Sequence, residues 1–267
     1  MDPIDTSVAH PARRYNYWLG GKDHFAADRE SGDLLARAFP TARLAALENR
    51  DFLRRSVRYL AEAGVTQFLD IGTGLPVPDN THEIAQRVAP RSRILYVDND
   101  PIVMTHARAL LVGAPEGRTG YVEADLRDPE AILNHPDLRA TLDLRQPVAL
   151  LLVAVLHFIH DDDQAVAIVQ RLREALPAGS YLVASNLTLD YAPPEQIAKH
   201  EELLAGGRTD ARARDRAEFG RFFAGLELVD PGIVAVSDWR PTRPTDDRPT
   251  ATDVAIYGAV GRFAPGA

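Results

Sequence analysis

The sequence has no cysteine. That excludes a disulfide framework, a zinc–thiolate site and a cysteine nucleophile together. Lysine is scarce as well: Lys22 and Lys199 are the only two among thirty basic residues. The arginine excess reads as codon bias rather than function. No apolar run approaches the ~20 residues a membrane span needs; the longest is Val148 to Leu156. The first ten residues, MDPIDTSVAH, are polar and acidic and show no signal-peptide pattern. Net positive charge is also missing. A formal charge of −8 opposes a surface that tracks phosphates, so neither nucleic acid nor membrane is expected as a partner. A cytoplasmic chain is expected, and 267 residues suffice for one α/β domain with an elaboration.

What is present is a glycine loop between two strands. Gln67-Phe-Leu-Asp-Ile-Gly-Thr-Gly74 reads as an apolar strand running into glycines, and Arg93-Ile-Leu-Tyr-Val-Asp98 as a second strand ending in an acid. Glycines let backbone approach a ligand, and an acid at the next strand tip can accept both hydroxyls of a ribose. A dinucleotide fingerprint wants a third glycine where Val77 stands. The prolines at 76 and 78 disfavour helix before them, so the helix starts late, with Asn80 and Glu83 at capping-box spacing and Ile84 and Val88 as its apolar face. A diphosphate would lose the helix N-terminus that usually holds it. A ligand without phosphate suits the open loop better, and S-adenosylmethionine is one.

Further strands are predicted at Gly120 to Asp125, Val148 to Val155 and Tyr181 to Ala184, alternating with helices at Ile102 to Leu111 and Ala165 to Leu176. Leu53, Val57, Leu60 and Ala61 mark a helix before the first strand, stopped by Gly64. Pro193-Pro194 opens a charged helical stretch broken at Gly206-Gly207. Leu226 to Val236 and Val254 to Phe263 then read as two strands with no helix between them, hence an antiparallel pair.

These residues resemble the class I S-adenosylmethionine-dependent methyltransferases, and more closely the bacterial DUF574 S-adenosyl methyltransferases. The similarity runs over nearly the whole chain and is most specific at Arg13 to Phe25, Leu69 to Pro76, Tyr96 to Pro101 and Leu151 to Phe158. It implies a doubly wound α/β fold, a seven-stranded, mostly parallel sheet with an antiparallel last strand. It also implies an N-terminal helical arm at 1–45 ahead of the methyltransferase domain at 46–267. S-adenosylmethionine would be the cofactor, S-adenosylhomocysteine the product and a small molecule the acceptor. The resemblance places Asp70, Gly72, Thr73, Gly74 and Pro76 around the methionine part of the cofactor, with Asp70 near its ammonium. Asp98 would take the ribose, with Asn99 and Asp100 beside it. Asp125 would face the adenine amino group with the Leu126 backbone near the ring, and Ala154, Val155 and His157 would lie under the sulfonium.

Some strings invite two readings. His157, His160 and Asp161 to Asp163 could be a metal cluster, but Asp161 and Gln164 have capping-box spacing and acids suit a first helical turn, so no metal is expected. Gly20-Gly21-Lys22 lacks the loop length and hydroxyl of a phosphate loop. The arm's Tyr15, Tyr17 and Trp18 are either a strip packed on the core or a lid, with Gly20 and Gly21 as hinge and Arg13 pairing the methionine carboxylate. The proline-rich stretch after Trp239 is either a surface connection or a wall of the cleft. His157, His24 and Tyr17 are the candidate general bases. A nicotinamide oxidoreductase and a non-catalytic cofactor-binding protein are the rival functions.

Overall fold

The computed structural model describes residues 5–111 and 113–264. Three helices lead the chain: α1 (Pro11–Trp18), α2 (Ala26–Ala38) and the long α3 (Ala42–Glu62). Gly64, at φ +91°, ends the last of these as the sequence predicts. Then come β1 (Gln67–Ile71), α4 (Thr81–Val88), β2 (Arg93–Asp98), α5 (Pro101–Leu110), β3 (Arg118–Glu123), α6 (Pro129–Leu133), α7 (Pro136–Thr141) and β4 (Ala149–Leu152). A single 3-10 turn, Leu156–Phe158, leads to α8 (Asp162–Glu174), β5 (Tyr181–Leu187), α9 (Pro194–Ala205) and α10 (Arg216–Gly220). The chain ends with β6 (Glu227–Leu228), β7 (Val234–Ala235), α11 (Ala251–Val254) and β8 (Ile256–Arg262). α3 crosses residues 45 and 46 without a break.

Among the described residues the strands form one sheet in the order β3-β2-β1-β4-β5-β8-β6, with β7 also on β8. The first five are parallel, and β8 is antiparallel to β5. Alternation along the strands divides the core between two faces. Leu69, Leu95 and Leu150 point to α7 and α8, while Phe68, Ile94 and Tyr96 point to α3 and α4. Asp70 follows the second set and so looks toward α3.

Four local readings need correction. The strand expected from Val254 begins at Ile256, because Val254 ends α11, a one-turn helix capped by Thr250 where no helix was expected. The stretch Leu226 to Val236 is two dipeptide strands, because Asp230-Pro231-Gly232 interrupts it with a turn. β4 stops at Leu152 rather than Val155, because Ala154 turns into the left-handed region at φ +54°. Val88 is exposed: α4 buries Thr81, Ile84 and Ala85 instead, and Val88 sits at its last turn. The Asn80–Glu83 capping box is formed as predicted.

Candidate active site

The strand order reverses between β1 and β4, whose following segments leave on opposite sides and open a crevice at their C-terminal ends. The glycine loop fills one lip. Gly72 (φ +76°) donates its N–H to the Val97 carbonyl at 2.8 Å, and Thr73 Oγ1 donates to the Asp70 carbonyl at 3.0 Å. A Cβ on Gly72 would lie 2.6 Å from Val155 Cγ2, across the crevice on the β4 side. Gly74 (φ +68°) has nothing within 4 Å of its Cβ position. The first glycine is thus required by packing and by backbone conformation, the second by backbone conformation alone. Gly72→Ala should therefore destabilise the fold by about 1–3 kcal/mol, the usual cost of overpacking. A thermal melt would check it, and Val155→Ala in the same chain should recover part of the loss.

Asp98 closes the loop from the other strand. Its Oδ2 accepts the Gly74 N–H at 2.8 Å and its Oδ1 the Asp100 N–H at 3.0 Å. Burial pushes its carboxyl above the usual range, while those two amides pull the other way. Asp70 accepts from Thr81 Oγ1 at 2.6 Å, and burial raises its pKa to about 6 despite that bond and the nearby Arg50 guanidinium.

Arg50, which sequence reasoning missed, reaches the crevice from α3. It is buried, and one terminal nitrogen donates to the Asp79 carbonyl at 2.9 Å. Its Nε is buried with no partner among the described residues. Desolvation disfavours its charge, Asp70 nearby favours it, and it makes no ion pair among the described residues. Beside it Ala154 N–H donates to Ser185 Oγ at 2.9 Å, Ser185 Oγ to Asn49 Oδ1 at 2.7 Å, and Asn49 Nδ2 to the Tyr15 hydroxyl at 3.1 Å. Tyr15 in turn donates to the Ala46 carbonyl at 2.8 Å. This chain ties the β4 tip to the arm.

A cavity of about 910 Å3 runs from this crevice under the arm. It brings together Tyr15, Asp70, Gly72, Thr73, Gly74, Asp98, Asn99, Asp125, Leu126, Ala154, Val155 and His157. It does not reach Arg13, Tyr17, Gly20, Gly21, His24, Pro76 or Asp100. The reasons are specific. Arg13 Nε donates to Asp100 Oδ2 at 3.1 Å, and Asp100 also N-caps α5 through Ile102 N–H at 2.8 Å, so each holds the other away from the cavity. Tyr17 donates to Asp33, and His24 Nε2 lies 3.2 Å from the Gly21 carbonyl. Gly20 closes α1 at φ +80°, and a Cβ on Gly21 would overlap the Asn16 amide at 2.3 Å. These glycines serve a helix end and a close contact. Asp125 is at the cavity but already accepts from Arg127 N–H and guanidinium and from Asn99.

His157 lines the cavity with its Nδ1 buried and unpartnered, and burial pushes its pKa down to about 4. The acids after it are committed: Asp161 caps α8, Asp162 binds Arg212 and Arg214, and Asp163 binds Arg221. Among the described residues no group of three His, Asp or Glu could hold a metal ion. The proline-rich segment after Trp239 lies outside the cavity; the Trp239 ring packs edge-on against Phe52 and Tyr59.

A mostly parallel sheet in this order, with a glycine loop after its first strand and an acid after its second, defines a class I methyltransferase architecture. Human N-acetylserotonin methyltransferase, solved with S-adenosylmethionine, shares that fold at 14% identity (TM-score 0.51; 97% of this chain and 63% of that one). The family model described as S-adenosyl methyltransferase matches residues 1–264, and the chain belongs to that family. A DUF574 family protein from Streptomyces avermitilis is 53% identical over 98% of this chain and 100% of its own, with a TM-score of 0.92. A protein from Thermobifida fusca is 42% identical over 98% and 97%, with a TM-score of 0.88. No protein of curated function matches the chain. The cofactor is S-adenosylmethionine. No helix among the described residues is long and apolar enough to cross a membrane.

Proposed function

We propose that this protein transfers a methyl group from S-adenosylmethionine to a small-molecule acceptor held in the same cavity. The observation that carries this reading is the continuity of that cavity. It extends from the glycine loop to Leu35 on α2, Phe39 just after it and His200 on α9. Its volume lies at the upper end of ligand sites, which run to roughly 1,000 Å3, so an acceptor fits beside a cofactor.

The donor set fits the cofactor. Gly74 leaves the loop open where backbone must approach a ligand, and each Asp98 oxygen keeps a lone pair for a ribose hydroxyl after accepting one amide. Asp70 suits an ammonium. Arg50, rather than Arg13, suits the methionine carboxylate, because it lines the cavity and makes no ion pair among the described residues, whereas Arg13 is spent on Asp100. Bound there, the cofactor supplies a methyl group already activated by a positive sulfur. The chain's own task is to align the acceptor and exclude water. Of the three candidate bases only His157 reaches the cavity, and it is neutral at pH 7 with a free ring nitrogen. Tyr17 and His24 are engaged elsewhere.

Calorimetric titration with S-adenosylmethionine, S-adenosylhomocysteine and NAD tests the reading. Binding of the first two and not of NAD is expected; the reverse would overturn it. Screening metabolites for transfer of an isotopically labelled methyl group then separates an enzyme from a protein that only binds the cofactor.

The helix α1 supports a second expectation. His10, Ala12, Arg14, Tyr15 and Trp18 roof the cavity. Amide exchange across residues 10–18 should slow when S-adenosylmethionine binds, since a ligand suppresses local opening of the segment that covers it. Equal exchange with and without cofactor would make the arm mere packing.

A further inference from the structure

The chamber beyond the cofactor end has a definite chemistry, set by which of its polar groups are already engaged. Six carboxylates line the cavity. Asp70 and Asp98 belong to the cofactor end. Asp125 is held by Arg127, Asp161 caps α8, Asp253 accepts from the Thr250 hydroxyl at 2.7 Å, and Asp210 pairs with Arg14 at 2.5 Å. The lining cations other than Arg50 are Arg14 and Arg127, neutralised by those same acids. Asp161 and Asp253 keep their charge at helix N-termini, where capping amides and the macrodipole offset it, so no cation is free for an anionic acceptor and no acid is unengaged for a cationic one.

Two imidazoles are left over. Neither side chain makes a hydrogen bond among the described residues: His157 Nδ1 and His200 Nε2 are buried without a partner, which leaves the other nitrogen of each ring as the one an acceptor in the cavity can reach. Burial lowers the pKa of each ring, so both stand neutral at pH 7, one nitrogen of each a donor and the other an acceptor. Aromatic and aliphatic side chains flank both rings or share their cavity: the His200 ring meets Phe39 edge-on at 6.0 Å, His157 meets Phe158 at 4.3 Å, and Trp18 and Leu35 also line the chamber. Its Trp18 face already carries the Arg14 guanidinium at 5.8 Å, which leaves less of that ring for a cationic ligand.

We infer that the acceptor is an uncharged aromatic compound bearing hydroxyl groups, held between these rings and engaged by His157 and His200, with its methylated oxygen on the His157 side. This rests on the methyltransferase reading above and adds the acceptor's class to it. In the transfer the acceptor oxygen forms the new bond to the methyl carbon as the carbon–sulfur bond breaks. The bonding pair goes to sulfur, leaving a neutral thioether, and the hydroxyl proton passes to His157. Charge balances: the positive charge lost from sulfur appears on the imidazole. An unpartnered buried imidazole is the group for which a hydroxyl, donor and acceptor at once, is the complementary ligand.

The test uses the full chain saturated with S-adenosylhomocysteine and three probes of one shape: 2-naphthol, 2-naphthoate and 2-naphthylmethylamine. Saturation-transfer NMR and competition should show 2-naphthol bound at least tenfold more tightly than either charged analogue. His200→Leu, which fills a buried position with an apolar side chain, should weaken 2-naphthol about tenfold while leaving S-adenosylhomocysteine affinity unchanged. With S-adenosylmethionine present, any methylation of 2-naphthol should be lost in His157→Phe. Tighter binding of a charged analogue, or a 2-naphthol affinity indifferent to His200→Leu, overturns the assignment of acceptor class alone. Failure of the wild-type chain to bind either cofactor form would overturn the underlying methyltransferase reading instead.

Discussion

Asp98→Asn is expected to weaken S-adenosylmethionine binding by about 150-fold, or ~3 kcal/mol, as much as losing two hydrogen bonds to a charged acceptor at the low end of their range. The substitution is conservative in shape and not in chemistry. Both carboxylate oxygens already accept a backbone N–H, one from Gly74 and one from Asp100. An amide has only one oxygen, so its NH2 must face one of those donors. Either the glycine loop or the turn into α5 is then pushed out of place, and the ribose loses its charged acceptor as well. Calorimetry on Asp98→Asn and Asp98→Ala checks this, and the two should be similarly impaired. If asparagine retains wild-type affinity, the acid's position at the loop has no bearing on the ligand.

The glycine loop and its acid could be read because everything that makes them is local. A five-residue apolar strand, two glycines with positive φ and an acid at the next strand tip are neighbours in sequence or one βα unit apart. The antiparallel ending was legible for the same reason, from two apolar stretches at the end of the chain, although the one-turn helix α11 between them was not. The split between β6 and β7 had a signal too, since Pro231-Gly232 is a turn dipeptide inside an apolar run. The left-handed turn at Ala154 had none: alanine gives no hint of φ +54°, and the turn is held by Ser185, thirty-one residues on.

The rest of the site comes from residues distant in sequence. Asn49 on α3 and His200 on α9 are polar residues within apolar surroundings, and only tertiary packing brings them to one cavity and Ser185 of β5 to Asn49. A faint signal existed on α3. Arg50 is in phase with Leu53, Val57 and Leu60 at i+3, i+7 and i+10, so an arginine lies on a stripe that otherwise faces the core. A charge on a buried stripe requires a partner, and that requirement marks a site. Arg13 had stood out instead because the arm's composition is unusual, yet its guanidinium serves to pin the arm to Asp100.

That exchange of roles gives the second large effect. Arg50→Met should cost S-adenosylmethionine about 100-fold in affinity, within the 1.5–3 kcal/mol range for a hydrogen bond to a charged group. A carboxylate-free ligand separates this role from a structural one. Arg50 also holds the start of α4 through the Asp79 carbonyl, so a merely structural loss would weaken every ligand of the loop alike. Decarboxylated S-adenosylmethionine, which keeps the sulfonium, ribose and adenine, should bind wild-type protein more weakly than S-adenosylmethionine and bind Arg50→Met no worse than wild type. Asp70 supplies the pH dependence of the same end. Its pKa is raised by burial to about 6, so the ligand-free fold holds the proton that the unfolded chain gives up at lower pH. The fold therefore loses stability as pH rises from about 4 to 6, and an ammonium favours the ionised form that emerges. Affinity should climb through that window and level off above it, and below about pH 6 each unit should cost up to tenfold per carboxylate that must ionise. Burial raises Asp98 in the same direction. Asp70→Asn should flatten the slope by one proton, and an unchanged pH profile in that variant would place the ammonium elsewhere.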